Sequence, residues 1–526
     1  MKTLYVHIGS PKTASTALQF FCVDNSEVLN QKGYCYPLFP QTYPDASRIR
    51  AYFLIVKLKN KFGKRSKKWE EDVFQEGMAV IHKSFENYDN VIISDERIWR
   101  SMDIERKDLW EKLMKEAKKG GFQIRVIAYV RRQDKFLISL WNQQIKIIKV
   151  DLAKCTIEEW MNRVNLRARL EYADKLDRIA DFVGKQNVIV RRFDGTDNFE
   201  GGSIYSDFLS AVGLALTEEY EIKQEVVNIG LYGNTQEIKR VINFLPQMIK
   251  DRNAQNFIME MLQECSEISK KNYPCEMLSA KEVAALLQEY EAGNRKIAEE
   301  YLHETNRGLF DNTIKDIPKW QKDNPFILED LVRFANVSMR ALLAKYGELR
   351  QELSGLEKEF QALLPADGTE DSDWTGVSAA EAKVLPKWDK EDPNGIDPII
   401  LFVGGAVLRL YQEIRDLKKE VSAIGEAVKQ DKVQKAVTAN HAQGMRIHYF
   451  CKNGGTNELE ERIAAIPDPL ESQESLAERL VEAVDQAAVL FDRKNQRFRQ
   501  ETADMKRLAD LRDTPKKSFF EKIFSK

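Results

Sequence analysis

Residues 3–19, Thr-Leu-Tyr-Val-His-Ile-Gly-Ser-Pro-Lys-Thr-Ala-Ser-Thr-Ala-Leu-Gln, decide how this chain folds. Leu4 to Ile8 is an apolar, β-rich run of the kind that forms a buried strand. Gly9 and Pro11 break it, and Ser15 or Thr16 can cap the helix that follows at once. A strand that turns directly into a helix offers free backbone N–H groups and the positive end of the helix dipole, and both favour an anion. Lys12 adds a full positive charge, while Thr13, Ser15 and Thr16 add hydroxyl donors. The loop Gly9, Ser10, Pro11, Lys12, Thr13, Ala14, Ser15 and Thr16 is therefore a candidate phosphate cradle. Only two residues separate Gly9 from Lys12, whereas the nucleotide triphosphatase loop needs Gly, four residues, Gly, Lys and then Ser or Thr. A capped surface turn is the bland alternative for the same residues.

Residues 124–144, Ile-Arg-Val-Ile-Ala-Tyr-Val-Arg-Arg-Gln-Asp-Lys-Phe-Leu-Ile-Ser-Leu-Trp-Asn-Gln-Gln, repeat the strand-to-helix pattern. Arg131 closes the strand, and Ser139 follows eight residues later in the helix. An arginine fork binds phosphate bidentately, and a serine one to two turns into a helix directs its hydroxyl back toward the strand end. The competing reading is a solvated charged cap made by Arg131, Arg132 and Asp134. Further strands are expected at Val91 to Ser94 and Asn187 to Arg192, and a helix at Asp108 to Lys119. This alternation to about residue 215 predicts an α/β fold: a three-layer, P-loop-like core with a central parallel sheet, its ligands at the carboxyl ends of the strands.

Pro11, Lys12, Thr13, Ser15 and Thr16 resemble the 5'-phosphosulfate loop of sulfotransferases that use 3'-phosphoadenosine 5'-phosphosulfate (PAPS), whose core reads Pro-Lys-Ser/Thr-Gly-Thr-Thr. Ala14 stands where that family has glycine. In the family an arginine and a serine spaced like Arg131 and Ser139 hold the nucleotide 3'-phosphate. The wording after Arg131, with residues 228–246 and 294–311, is similar to the bacterial branch that modifies sugars and surface polysaccharides, so the resemblance covers about residues 1–320. It implies a PAPS-dependent transferase, a carbohydrate or polysaccharide acceptor with a hydroxyl or amine to be sulfated, and no metal. A P-loop small-molecule kinase, and an assembly protein carrying an inactive sulfotransferase fold, are the alternatives.

Sulfuryl transfer builds charge on the bridging oxygen of the leaving phosphate, much as phosphoryl transfer does. Lys12 is the residue expected to stabilise it, with help from the loop amides. The acceptor also needs a base within hydrogen-bond reach. Glu96, after the short strand Val-Ile-Ile-Ser-Asp, is one candidate and His7 is the other. Asp95 and Ser94 share the Glu96 turn, and Glu96 could instead serve as the structural partner of an arginine such as Arg97 or Arg132. Tyr34 to Trp69, rich in aromatic and basic residues, is the expected acceptor wall.

Composition sets outer bounds for these readings. With 80 basic and 82 acidic residues among 526, the chain has no global basic field to suggest nucleic acid. Its six cysteines form no Cys-x-x-Cys pair, and its five histidines form no ligand cluster. Cys22 and Cys155 read as small core residues. The chain starts on its first strand without a leader, which gives a cytoplasmic expectation. Beyond 325 the pattern turns helical: an extension over 326–364, a linker over 365–397 and a helical region over 398–526. The stripe Leu408, Ile414, Leu417 and Val421 suits packing or self-association. Residues 515–526, with Phe519, Phe520, Ile523 and Phe524 flanked by lysines, suit weak contact with the inner face of a membrane.

Overall fold

The computed structural model describes residues 1–40, 48–55, 66–100, 108–146, 151–195, 198–223, 230–362, 396–429, 480–490 and 499. The 365–395 portion of the linker and the terminal segment 515–526 lie outside these residues. Five strands make one sheet: β1 (Thr3–His7), β2 (Tyr34–Cys35), β3 (Asn90–Ser94), β4 (Gln123–Val130) and β5 (Val188–Arg192). Their order is β2-β3-β1-β4-β5 and every pairing is parallel, which makes the fold α/β. The two-residue β2 falls in the stretch read as an acceptor wall; at that length it has no alternation to betray it.

Helices cover both faces of the sheet, and the strands' period of two sorts side chains between them. Leu4, Val6, Val91, Ile93, Val126 and Ala128 face one core. It is closed by helices α2 (Lys67–Asn87), α3 (Leu109–Gly120) and α5 (Tyr172–Val183), through side chains such as Phe74, Trp110 and Leu176. Tyr5, Ile92 and Tyr129 face the opposite core under α1 (Ser15–Asp24) and α6 (Ile204–Ala211). After β1 the chain leaves toward β2, whereas after β4 it leaves toward β5. The order therefore reverses between β1 and β4, and the crevice at the carboxyl ends of these two strands is where an open parallel sheet binds ligands. Helix α4 (Gln133–Lys146) begins at that edge, two residues after Arg131.

The chain divides into two compact units, one of residues 1–144, 155–230 and 276–319, the other of 145–154, 231–275 and 320–526. Residues 145–154 and 231–275, which the sequence pattern groups with the first 325, thus pack with the later helices. In that second unit helix Asn234–Ile242 is buried at every position. Its polar side chains are paired internally: Arg240 meets Glu237 at 2.6 Å, and Lys239 Nζ donates to Ile145 O at 3.0 Å. Helix Ile396–Lys429 buries Leu408, Ile414, Leu417 and Val421 in the same core as Phe334 and Leu342 of helix Ile327–Ala362. Gly404 permits a close approach there, because a Cβ at that position would lie 2.8 Å from Ile242 Cγ1. Among the described residues no helix is long and apolar enough to cross a membrane, and no group of His, Cys, Asp and Glu is placed to hold a metal.

Candidate functional site

The loop after β1 continues the sheet before it turns. Ile8 N donates to Ile127 O at 2.9 Å and Ser10 N to Tyr129 O at 2.8 Å, so the loop stays fastened to β4. Thr13 Oγ1 then donates back to Ser10 O at 2.7 Å and fixes the turn. Gly9, Lys12 and Ala14 take positive φ angles of 27°, 74° and 57°. At Gly9 a Cβ would lie 3.0 Å from Ser15 Oγ, 3.0 Å from Thr13 Oγ1 and 3.1 Å from His7 Nε2, so only glycine leaves these polar atoms their space. Ala14 is the N-cap of α1 in left-handed conformation, and no side chain caps the helix. The expectation that Ser15 or Thr16 caps α1 is therefore corrected. Both lie inside the first turn, which leaves the leading N–H groups without a side-chain acceptor.

Several buried polar atoms at this edge have no hydrogen-bond partner: His7 Nε2, Ser10 Oγ, Ser15 Oγ and Glu96 Oε2. A buried polar group left unpaired costs about 1–3 kcal/mol, and such groups are rare enough in folded proteins that a cluster calls for a cause. Lys12 lies exposed beside them. Partial desolvation draws its pKa below the usual lysine value, Arg131 pushes it further down, and Glu96 opposes both. Arg131 Nη1 donates to Lys12 O at 3.3 Å, and its guanidinium lies 5.6 Å from the Phe193 ring centre. Two partly desolvated cations held next to hydroxyls and an uncapped helix end make a place for a polyanion.

The two arginines of the second motif separate. Arg132 is buried, paired with both oxygens of Asp134 at 2.8 Å and bonded to Asp311 O and Thr313 O, so it is a structural tie rather than part of a solvated cap. Arg131 turns instead to the loop. Ser139 lies half-buried in the second turn of α4, about 9 Å along the axis from Gln133.

Glu96 opens the short turn Glu96–Arg100 after β3. Its partner is neither Arg97 nor Arg132: Arg97 is held at both oxygens of buried Asp95, at 2.9 and 2.6 Å, and Glu96 Oε1 meets Arg50 Nη1 at 3.1 Å. Arg50 also donates to Gln19 Oε1 at 3.1 Å and Thr16 Oγ1 at 3.3 Å, while Gln19 Nε2 donates to Ser94 Oγ at 3.0 Å. Ser94 Oγ lies 2.8 Å from His7 Nδ1, so one network runs from the strand edge to Glu96. His7 is fully buried between the rings of Tyr129 and Phe208, and burial pushes its pKa down to about 4. Arg50 and Gln19 escape residue-by-residue reading because nothing local marks them: Gln19 is an ordinary helix residue, and Arg50 is one of many basic residues in the Tyr34–Trp69 stretch. Compared with known proteins, the chain matches no family model, no curated protein and no solved structure.

Proposed function

We propose that this protein transfers a sulfuryl group from PAPS to a hydroxyl or amine of a carbohydrate-like acceptor, on a P-loop-like core. The observation that carries this reading is the cluster of unpartnered buried polar atoms around Gly9, with Lys12 and Arg131 beside it, at the point where strand order reverses. These residues fit the anionic nucleotide: the loop amides and hydroxyls suit a 5'-phosphosulfate, and Arg131 with Ser139 suit a 3'-phosphate. When bound, PAPS supplies the sulfuryl group and a phosphate leaving group.

Lys12 holds positive charge where the bridging oxygen gains negative charge, and its lowered pKa eases proton donation there. Glu96 is better placed than His7 to accept the acceptor's proton, because its side chain is partly exposed and acts on the Lys12 ammonium, whereas His7 is wholly enclosed. His7, neutral and enclosed, ties the end of β1 to the end of β3 through Ser94. Transfer of labelled sulfate from PAPS to a panel of sugars tests the reading. Lys12→Ala is expected to slow transfer about 10²–10³-fold. Glu96→Gln is expected to lower turnover with little change in nucleotide affinity. Transfer that is absent, or indifferent to both substitutions, would contradict it.

A further inference from the structure

Arg50 is held more firmly than an ordinary surface arginine. The backbone around it is tied at three points: Phe39 N donates to Arg48 O at 2.8 Å, Tyr36 Oη to Ile49 O at 2.7 Å and Ala51 N to Ser94 O at 3.0 Å. The last tie fastens this segment to the end of β3, two residues before Glu96. The guanidinium then serves three acceptors with three different nitrogens. Nε donates to Gln19 Oε1 at 3.1 Å, Nη2 donates to Thr16 Oγ1 at 3.3 Å, and Nη1 meets Glu96 Oε1 at 3.1 Å. Two of these acceptors lie on α1, the helix that follows the Lys12 loop, and Gln19 is itself fully buried and fastened to Ser94.

A guanidinium is planar and donates along fixed directions, so the contacts at Nε and Nη2 settle where Nη1 points. Glu96 is thereby steered from α1 rather than from its own turn. Two other cations feel the charge of Glu96, Lys12 from the loop and Arg97 from the turn. Arg97 is committed to Asp95, so among the described residues Arg50 is the cation paired with Glu96. The two side chains keep 24% and 20% of their exposure, and an ion pair open to solvent adds little to stability. What this pair supplies is geometry: a carboxylate held at a set position beside the loop, which is what a proton-accepting group needs.

We infer that Arg50 is a positioning residue for the transfer step: it mounts the Glu96 carboxylate on α1, so that the group taking the acceptor's proton and the loop facing the sulfuryl donor share one support. This rests on the transferase reading. Steady-state transfer by the full chain tests it, with labelled PAPS and whichever of glucose, glucosamine, N-acetylglucosamine and glucuronate is sulfated fastest. Arg50→Gln is expected to lower kcat about 10–10²-fold, while the acceptor KM and the affinity for adenosine 3',5'-bisphosphate change less than about threefold. Arg50→Lys keeps the charge without the fork, and its turnover is expected to lie between those of Arg50→Gln and the unsubstituted chain. Because Arg50 acts through Glu96, either substitution made in the Glu96→Gln protein is expected to slow it by less than about threefold more. The lysine variant carries the same test should the glutamine one fail to fold. Losses that multiply in the double variants, an Arg50→Gln protein as fast as the unsubstituted chain, or one whose KM or nucleotide affinity weakens as much as its turnover would overturn the inference. Absence of transfer by the unsubstituted chain to all four sugars would instead remove the transferase reading.

Discussion

At the scale of single residues, the strained loop makes two claims that stability measurements reach. His7 has a folded pKa of about 4 against an ordinary 6.5, so between those values the unfolded chain takes a proton that the fold refuses. Stability is then full above pH 6.5 and falls as pH drops toward 4, by up to about 3 kcal/mol from this residue. His7→Asn, which keeps a polar atom near Ser94, is expected to lose measurably less stability over that window in urea melts; parallel curves for the two proteins would contradict it. Ala14 holds a φ of 57°, which costs a side chain about 1–2 kcal/mol. Ala14→Gly is expected to leave stability unchanged or raise it by about 1 kcal/mol, after allowing for the freer unfolded chain. A loss of 1 kcal/mol or more would show that the left-handed turn carries no strain. Alanine rather than glycine at this left-handed position thus costs backbone energy.

At the scale of elements, the strand-loop-helix units were legible because their physics is local. A short β-rich run followed by a helical period suffices to place β1, β4, α1 and α4, and with them Lys12 and Arg131. The ties that shape the site were not legible, because they join distant segments: Arg50 to Glu96, Gln19 to Ser94, and Arg132 to Asp311 and Thr313. The burial of helix Asn234–Ile242 was not legible for a related reason. Its polar residues mimic an exposed face, yet all are buried, Lys239 against Ile145 O and Asn234 against Asp330 among them. Lys239 is the sensitive one. Desolvation and Lys146 lower its pKa to about 7, so between pH 7 and 10.5 the unfolded chain holds a proton that the folded helix does not. Stability of the unit holding it should rise with pH across that window, by about 1 kcal/mol per unit, and fall again as pH returns to 7. Lys239→Met, which keeps the apolar stem, is expected to flatten that rise in thermal melts; an unchanged slope would show the ammonium stays charged in the fold.

At the scale of the molecule, a five-stranded parallel sheet brings the two strand-to-helix motifs proposed to bind phosphate, 119 residues apart at Lys12 and Arg131, to one edge. Neither motif alone chooses between nucleotides. On the proposed reading, the pairing of the motifs selects a nucleotide with phosphate at both the 5' and 3' positions of its ribose. Removing one phosphate from such a ligand forfeits charge-assisted bonds worth about 1.5–3 kcal/mol each. Titration calorimetry of the full chain with adenosine 3',5'-bisphosphate, adenosine 5'-monophosphate and ATP with magnesium measures this directly. Micromolar binding of the bisphosphate is expected, at least about tenfold tighter than either competitor, with the advantage over the monophosphate lost in Arg131→Ala and all binding weakened in Lys12→Ala. Equal affinity for the monophosphate, or preference for ATP with magnesium, would contradict the account.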